Sequence, residues 1–214
     1  MRELTKKYGT ILIFDETHTI SASPSGYCGK HGPLPDMLTI GKAIGAGIPA
    51  GTYGMSAEVA KSFKETIDYE NCDTCGIGGT LSGNPMSVIA IKSSLEHILT
   101  EDNYKKMIEM ATVLNREIQN IIDKYKLPWC VVQLGCRVEY WFCKSVPKNG
   151  SGAAAAHDPL LYKYMHLFCL NRGILITPFH NMVLISPNTT YEDINYHTNV
   201  FKQAVENLVT NSKL

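Results

Sequence analysis

Residues Ile11-Leu12-Ile13-Phe14 form an unbroken apolar run that stops abruptly at Asp15-Glu16. Such a run predicts a strand buried on both faces of a parallel sheet. The acidic pair falls at its carboxyl end, where open α/β sheets place their ligands. Residues 1–9 read as a helix end closed by Gly9, and 19–36, dense in Ser, Gly and Pro, as a loop. Short strands are expected at 37–40 and 51–55, then a helix over 57–67 capped by Ser56. A glycine-rich polar loop spans 68–83. Asn84 as cap and Pro85 in the first turn open the next helix, which carries Val88, Ile91, Leu95 and Ile98 at helical spacing. A longer helix over 102–126 presents Tyr104, Met107, Ala111, Leu114, Ile118, Ile121 and Tyr125 on one face.

The pattern changes at Leu127-Pro128. Strands are expected at 130–134 and 137–143, a small-residue loop at 146–156 and a helix at 158–171. Strands at 173–177 and 182–186 precede a last helix near 190–210, for which Thr189 and Glu192 predict a capping box. The chain therefore reads as α/β from 1 to 126, followed by a smaller α+β domain from 127 to 214.

Lys plus Arg and Asp plus Glu both number 20, so no basic stripe or acidic tail points to nucleic acid or a membrane surface. No long apolar run suggests a membrane span or secretory peptide. Seven cysteines lie scattered at 28, 72, 75, 130, 136, 143 and 169, which fits a reducing compartment, cytoplasm or an organelle matrix. Cys72 and Cys75 have no second pair for zinc and read as a coincidental loop pair.

The chemistry centres on Lys42 and Asp15. Lys42 follows Ile40-Gly41, precedes Ala43-Ile44, and is trailed by three glycines that let backbone approach a ligand. In apolar surroundings its ammonium is disfavoured and its amine becomes a nucleophile; on the surface it is ordinary charge. Asp15 either caps the following turn or, beside a pyridine ring, holds the ring nitrogen protonated. Glu16 reads as a supporting or packing partner. His18 is a loop histidine or a donor to a phenolic oxygen, and Gly78-Gly79-Thr80 before a helix suits an anion. A P-loop is excluded because position 36 is Asp, and a dinucleotide fingerprint fails on spacing and on Pro49.

Taken together, LIFDETHT, PDMLTIGKAIGAGIPAGTYG and GGTLSGNPMSVIA resemble the class III pyridoxal-phosphate aminotransferases, in the branch that contains glutamate-1-semialdehyde aminomutase. The tail NRGILITP resembles that family's C-terminal domain. The resemblance implies part of a fold-type-I large domain, mainly parallel sheet with helices, plus a small C-terminal domain. It implies pyridoxal 5'-phosphate as cofactor, Lys42 as the Schiff-base and proton-shuttling residue, and Asp15 as the partner of the pyridine nitrogen. Thr17 then lies against the ring face, His18 near the phenolic oxygen, and Thr80 on the phosphate across a homodimer interface. The implied substrates are small molecules, an amino acid and a keto or aldehyde acid. The resemblance starts near the middle of the family's pattern, so the chain is expected to be its C-terminal half, without the Gly-Ser/Thr phosphate cup and the stacking aromatic. Transamination is the implied reaction; an aminomutase and a non-catalytic remnant are the alternatives. Arg137, Arg172 and Phe179-His180-Asn181 are candidates for facing a carboxylate.

Overall fold

The structure is a computed structural model and describes residues 1–67 and 79–211. It divides into two compact units, Met1–Asn103 and Tyr104–Leu214. Cys72, Cys75, Gly78 and most of the expected 68–83 loop lie outside the described residues.

In the first unit, helix α1 (Arg2–Lys7) precedes strand β1 (Ile13–Asp15). Strand β2 (Met37–Gly41) pairs with β1 in parallel, Ile13 opposite Met37 and Asp15 opposite Thr39. Strand β3 (Gly51–Met55) returns antiparallel to β2, Gly41 opposite Gly51. The sheet is thus mixed rather than mainly parallel. Only residues 42–50 join β2 to β3, too few for the crossover that parallel strands require.

The expectation that β1 is buried on both faces is not met. Leu12 is 6% exposed, but Ile11 and Ile13 are each 54% exposed. β1 is an edge strand here, with β2 as its paired neighbour, so residues of this chain cover one side of it.

The expected 19–36 loop contains a 3₁₀ turn over Thr19–Ala22 and a short helix, α2 (Gly26–His31). Helix α3 (Ala57–Thr66) starts as expected, Ser56 Oγ accepting from Val59 N. Helix α4 (Pro85–Ser93) is capped by Asn84 Oδ1, which accepts from Ser87 N at 3.0 Å, and runs into a π-helical turn over Ser94–Ile98. Its inner face differs from the expected apolar stripe. Val88, Leu95 and Ile98 are exposed, whereas Ser94 is buried and Ser87, Ala90 and Ile91 are half-buried. Small residues let this helix lie close to backbone: Ser87 Oγ donates to Pro49 O and Ser94 Oγ to Ala43 O.

Helix α5 (Glu101–Lys124) buries Tyr104, Met107, Met110, Ala111, Leu114, Ile118, Ile121 and Ile122. That face belongs to the second unit: Gln133 donates to Ile108 O and Thr112 Oγ1, and Lys106 to Pro187 O. The compact units divide at 103/104, which keeps nearly all of α5 with the partners of its apolar face.

Strands β4 (Cys130–Leu134), β5 (Arg137–Trp141) and β6 (Met182–Leu184) form an antiparallel sheet in the order β4-β5-β6. Helices α6 (Gly150–Ala155), α7 (Pro159–Leu170) and α8 (Tyr191–Asn211) complete the unit. The core centres on aromatic rings: Tyr140 meets Phe201 at 4.9 Å, and Phe142 meets Trp129 and Tyr162 at 4.8 Å each, all edge to face. Two expectations fail. Residues 146–156 carry α6, capped by Asn149 Oδ1, and 173–177 form no strand. The latter segment is tied by His166 Nδ1 to Ile176 O at 2.6 Å, while β6 takes the place beside β5. The α8 cap sits one residue later than expected: Thr190 and Asp193 bond each other reciprocally. Among the described residues, no helix is long and apolar enough to cross a membrane.

Candidate active site

Parallel pairing of β1 with β2 brings the carboxyl ends of both strands to one edge of the sheet. Asp15 is the last residue of β1, and Lys42 follows the last residue of β2 directly. Successive strand side chains point to opposite faces, so Asp15 and Glu16 part company.

Asp15 is exposed, and Thr17 N donates to its Oδ1 at 2.9 Å. Hydrogen bonds from the Thr17 hydroxyl and backbone, then from Thr39, hold its carboxyl below the usual carboxylate range, with the nearby Lys42 charge acting in the same sense. Asp15 is thus an anion beside an ammonium. Thr39, opposite Asp15 in the register, belongs to this site and escapes a reading by motif. Its signal lies in the strand pairing that puts a hydroxyl beside the carboxylate.

Glu16 turns inward and is 2% exposed. It accepts from Tyr27 N at 2.7 Å, Cys28 N at 2.6 Å and Thr19 Oγ1 at 2.7 Å. Burial pushes its carboxyl up, but hydrogen bonds from Cys28, Thr19 and Tyr27 outweigh burial and keep it below its usual value. Glu16 therefore supplies the cap that α2 lacks locally. Gly26, at φ +68°, is needed there: a Cβ would stand 2.8 Å from Glu16 Oε2.

Lys42 opens a 3₁₀ turn, Lys42–Gly45, with a φ of 51°. Left-handed backbone at a non-glycine residue costs about 1–3 kcal/mol and gathers at functional sites. The expected apolar surround is absent. The turn sends Ile44 inward, 1% exposed, and leaves Lys42 facing outward. Thr17 lies over Gly41, the residue before Lys42, its Cγ2 and Oγ1 each 3.6 Å from where a Cβ on Gly41 would lie.

His18 is exposed, its carbonyl accepting from Ser21 Oγ at 2.8 Å. Thr80 is exposed in the turn that leads into α4, and α4 in turn bonds Ala43 and Pro49 of the segment that carries Lys42. The structure thus joins Asp15, Thr17, Thr39 and Lys42. An amine for an aldehyde and a firmly ionised carboxylate for a ring nitrogen are a donor set that fits pyridoxal phosphate.

The second-unit candidates are engaged within their own unit. Arg172 stacks on Phe168 at 3.6 Å and bonds Phe168 O and Gln203. Asn181 is fully buried and donates to Tyr140 O. Arg137 and His180 both approach Glu139, at 3.9 and 3.5 Å.

The profile of the family described as Aminotransferase class-III matches residues 1–205. A glutamate-1-semialdehyde 2,1-aminomutase of Thermosipho melanesiensis is 32% identical over 97% of this chain and 48% of its own length. Among solved structures, a glutamate-1-semialdehyde-aminomutase from Pseudomonas aeruginosa PAO1 in complex with PMP is 38% identical, with a TM-score of 0.90 over 96% of this chain and 46% of that one. An omega-transaminase from Sphaerobacter thermophilus shares the fold at a TM-score of 0.80 and 23% identity, over 96% and 46%. The chain spans about half the length of the relatives it matches.

Proposed function

The chain belongs to the class III aminotransferases, and from that premise we propose that it is the catalytic-lysine portion of a pyridoxal-phosphate enzyme that moves amino groups between small molecules. The observation that carries this reading is the ionised Asp15 beside Lys42 at neighbouring strand ends. We read the first unit as part of the cofactor-binding large domain and the second as the small C-terminal domain, with a homodimer as the working assembly.

When bound, the cofactor supplies an aldehyde and an electron-withdrawing ring. Lys42 Nζ is the group that holds the aldehyde and, once released, takes and returns a proton at the substrate carbon bearing nitrogen. Asp15, kept anionic by Thr17 and Thr39, holds a proton on the ring nitrogen. Glu16 anchors the 17–31 segment, so that Thr17 and His18 are presented from a fixed loop. Thr80 offers its hydroxyl across the homodimer interface to the phosphate bound by the partner subunit.

The experiment is to mix the full chain with pyridoxal phosphate and reduce with borohydride. A yellow band and a trapped adduct on Lys42, lost in Lys42→Ala, are expected. Equal labelling of Lys42→Ala overturns the assignment and leaves a non-catalytic member of the family. A second reading, intramolecular amino transfer, is favoured by the names of the relatives at 32% and 38% identity. Turnover of glutamate-1-semialdehyde with no separate amino donor selects it; turnover that requires an amino acid and an oxo acid together selects transamination.

A further inference from the structure

Two residues of the segment after β2 hold left-handed backbone without being glycine, Lys42 at φ 51° and Ala46 at φ 48°. Such conformations persist only where the surrounding structure over-determines them. Part of the restraint is internal to the segment. Ile48 N donates to Gly45 O at 2.9 Å, the Ile44 side chain is buried, and a Cβ on Gly45 would stand 3.1 Å from Ala50 Cβ.

The rest comes from α4 and the π-helical turn that continues it. Ser87 Oγ donates to Pro49 O at 3.0 Å, and Ser94 Oγ to Ala43 O at 3.4 Å. A serine inside a helix ordinarily returns its hydroxyl to a carbonyl of its own helix or turns it to solvent. Here both hydroxyls leave their helix for carbonyls 38 and 51 positions away in sequence. Those carbonyls lie at the two ends of the loop, one beside Lys42 and the other near the start of β3. Ser94 makes its bond from a position 2% exposed, where a hydroxyl has to find an acceptor within the protein. It also opens the π-helical turn, its own carbonyl accepting from Leu99 N at 2.8 Å, and such turns gather at functional sites.

We propose that Ser94 is a positioning residue for Lys42, with Ser87 as a second tie at the far end of the same loop. Holding the Ala43 carbonyl keeps Lys42 from relaxing into right-handed backbone, which would re-aim its side chain away from Asp15. Ser94 touches neither cofactor nor reacting atoms and acts through the backbone alone. The inference rests on the reading of Lys42 as the amine that takes the cofactor aldehyde.

The test compares Ser94→Ala with Ser94→Thr, which keeps the hydroxyl, in the full chain. Without cofactor, amides of residues 42–50 are expected to exchange about 10-fold faster in Ser94→Ala and near the parent rate in Ser94→Thr, with β1 unchanged. With limiting pyridoxal phosphate and borohydride, the adduct trapped on Lys42 is expected to fall about fivefold in Ser94→Ala, and the pH midpoint of the yellow band to move by about 0.5 unit or more, while the urea midpoint stays near the parent's. Ser94→Thr restores both. Parent-like exchange in Ser94→Ala overturns the tie. Faster exchange with parent-like trapping and pH midpoint overturns the positioning role, as does a loss of trapping that only follows a fallen urea midpoint. Should Ser94→Ala not fold, Ser87→Ala is read in the same way, a smaller change in the same direction supporting the proposal and none overturning it. Equal labelling of Lys42→Ala overturns the reading beneath the proposal, and is told apart by exchange that still responds to Ser94.

Discussion

At the scale of single residues, neighbours on β1 have opposite tasks. Asp15 faces outward, its carboxyl held below the usual range by Thr17, then Thr39 and Lys42; Glu16 faces inward and spends its charge on backbone N–H groups. Replacing Glu16 by Gln removes the charge from three hydrogen bonds and is expected to lower stability by about 2–3 kcal/mol, read from urea denaturation. Gly26→Ala strains the same clamp from its other side, through a left-handed φ and a Cβ driven at Glu16, and is expected to cost about 1–2 kcal/mol from backbone alone. Asp15→Asn keeps the shape and removes the charge. On the reading given above, Lys42 still traps cofactor in that variant while amino transfer falls about 100-fold or more. Asp15 and Lys42 were legible from their places at the ends of apolar runs. Thr39 was not, because its part depends on which residue of β2 stands opposite Asp15.

At the scale of elements, periodicity found the long helices and the central strands, and local chemistry decided the rest. α2 was hidden because the carboxylate that caps it lies ten positions before its first residue, beyond any local signature. α6 was hidden differently: its Asn149 cap is local, but a Gly- and Ala-rich run carries no apolar stripe. The stripe on α4 misled, since that helix packs through serines that bond carbonyls and leaves its larger residues outside. For α8, Thr190 and not Thr189 bonds Asp193, so Thr190→Ala is expected to cost about 1 kcal/mol by thermal denaturation. Leu114→Ala empties a site 1% exposed in the α5 core and is expected to cost about 2–5 kcal/mol.

At the scale of the molecule, family and fold class were legible from three phrases, and α5 lies with the unit that packs its apolar face. The second unit also carries an acid sensitivity. His197 is buried with both ring nitrogens unpartnered, and burial holds its pKa down to about 4, against 6.5 for the free side chain. Below pH 6.5 the unfolded chain takes up a proton that the folded chain refuses. Stability is therefore full above 6.5 and declines as pH falls towards 4, by about 3 kcal/mol in all. Urea midpoints at pH 7 and pH 5 are expected to differ in the parent chain and to converge in His197→Leu.

The nine-residue link from β2 to β3 has a kinetic meaning as well. Lys42 rides on a hairpin that closes locally, while Asp15 reaches its neighbour only after the 21-residue excursion from 16 to 36, an added closure entropy of about 0.7 kcal/mol. The amine-bearing turn is therefore expected to close before the acid-bearing strand docks, with amide-exchange protection in pulse labelling appearing in β2 and β3 ahead of β1.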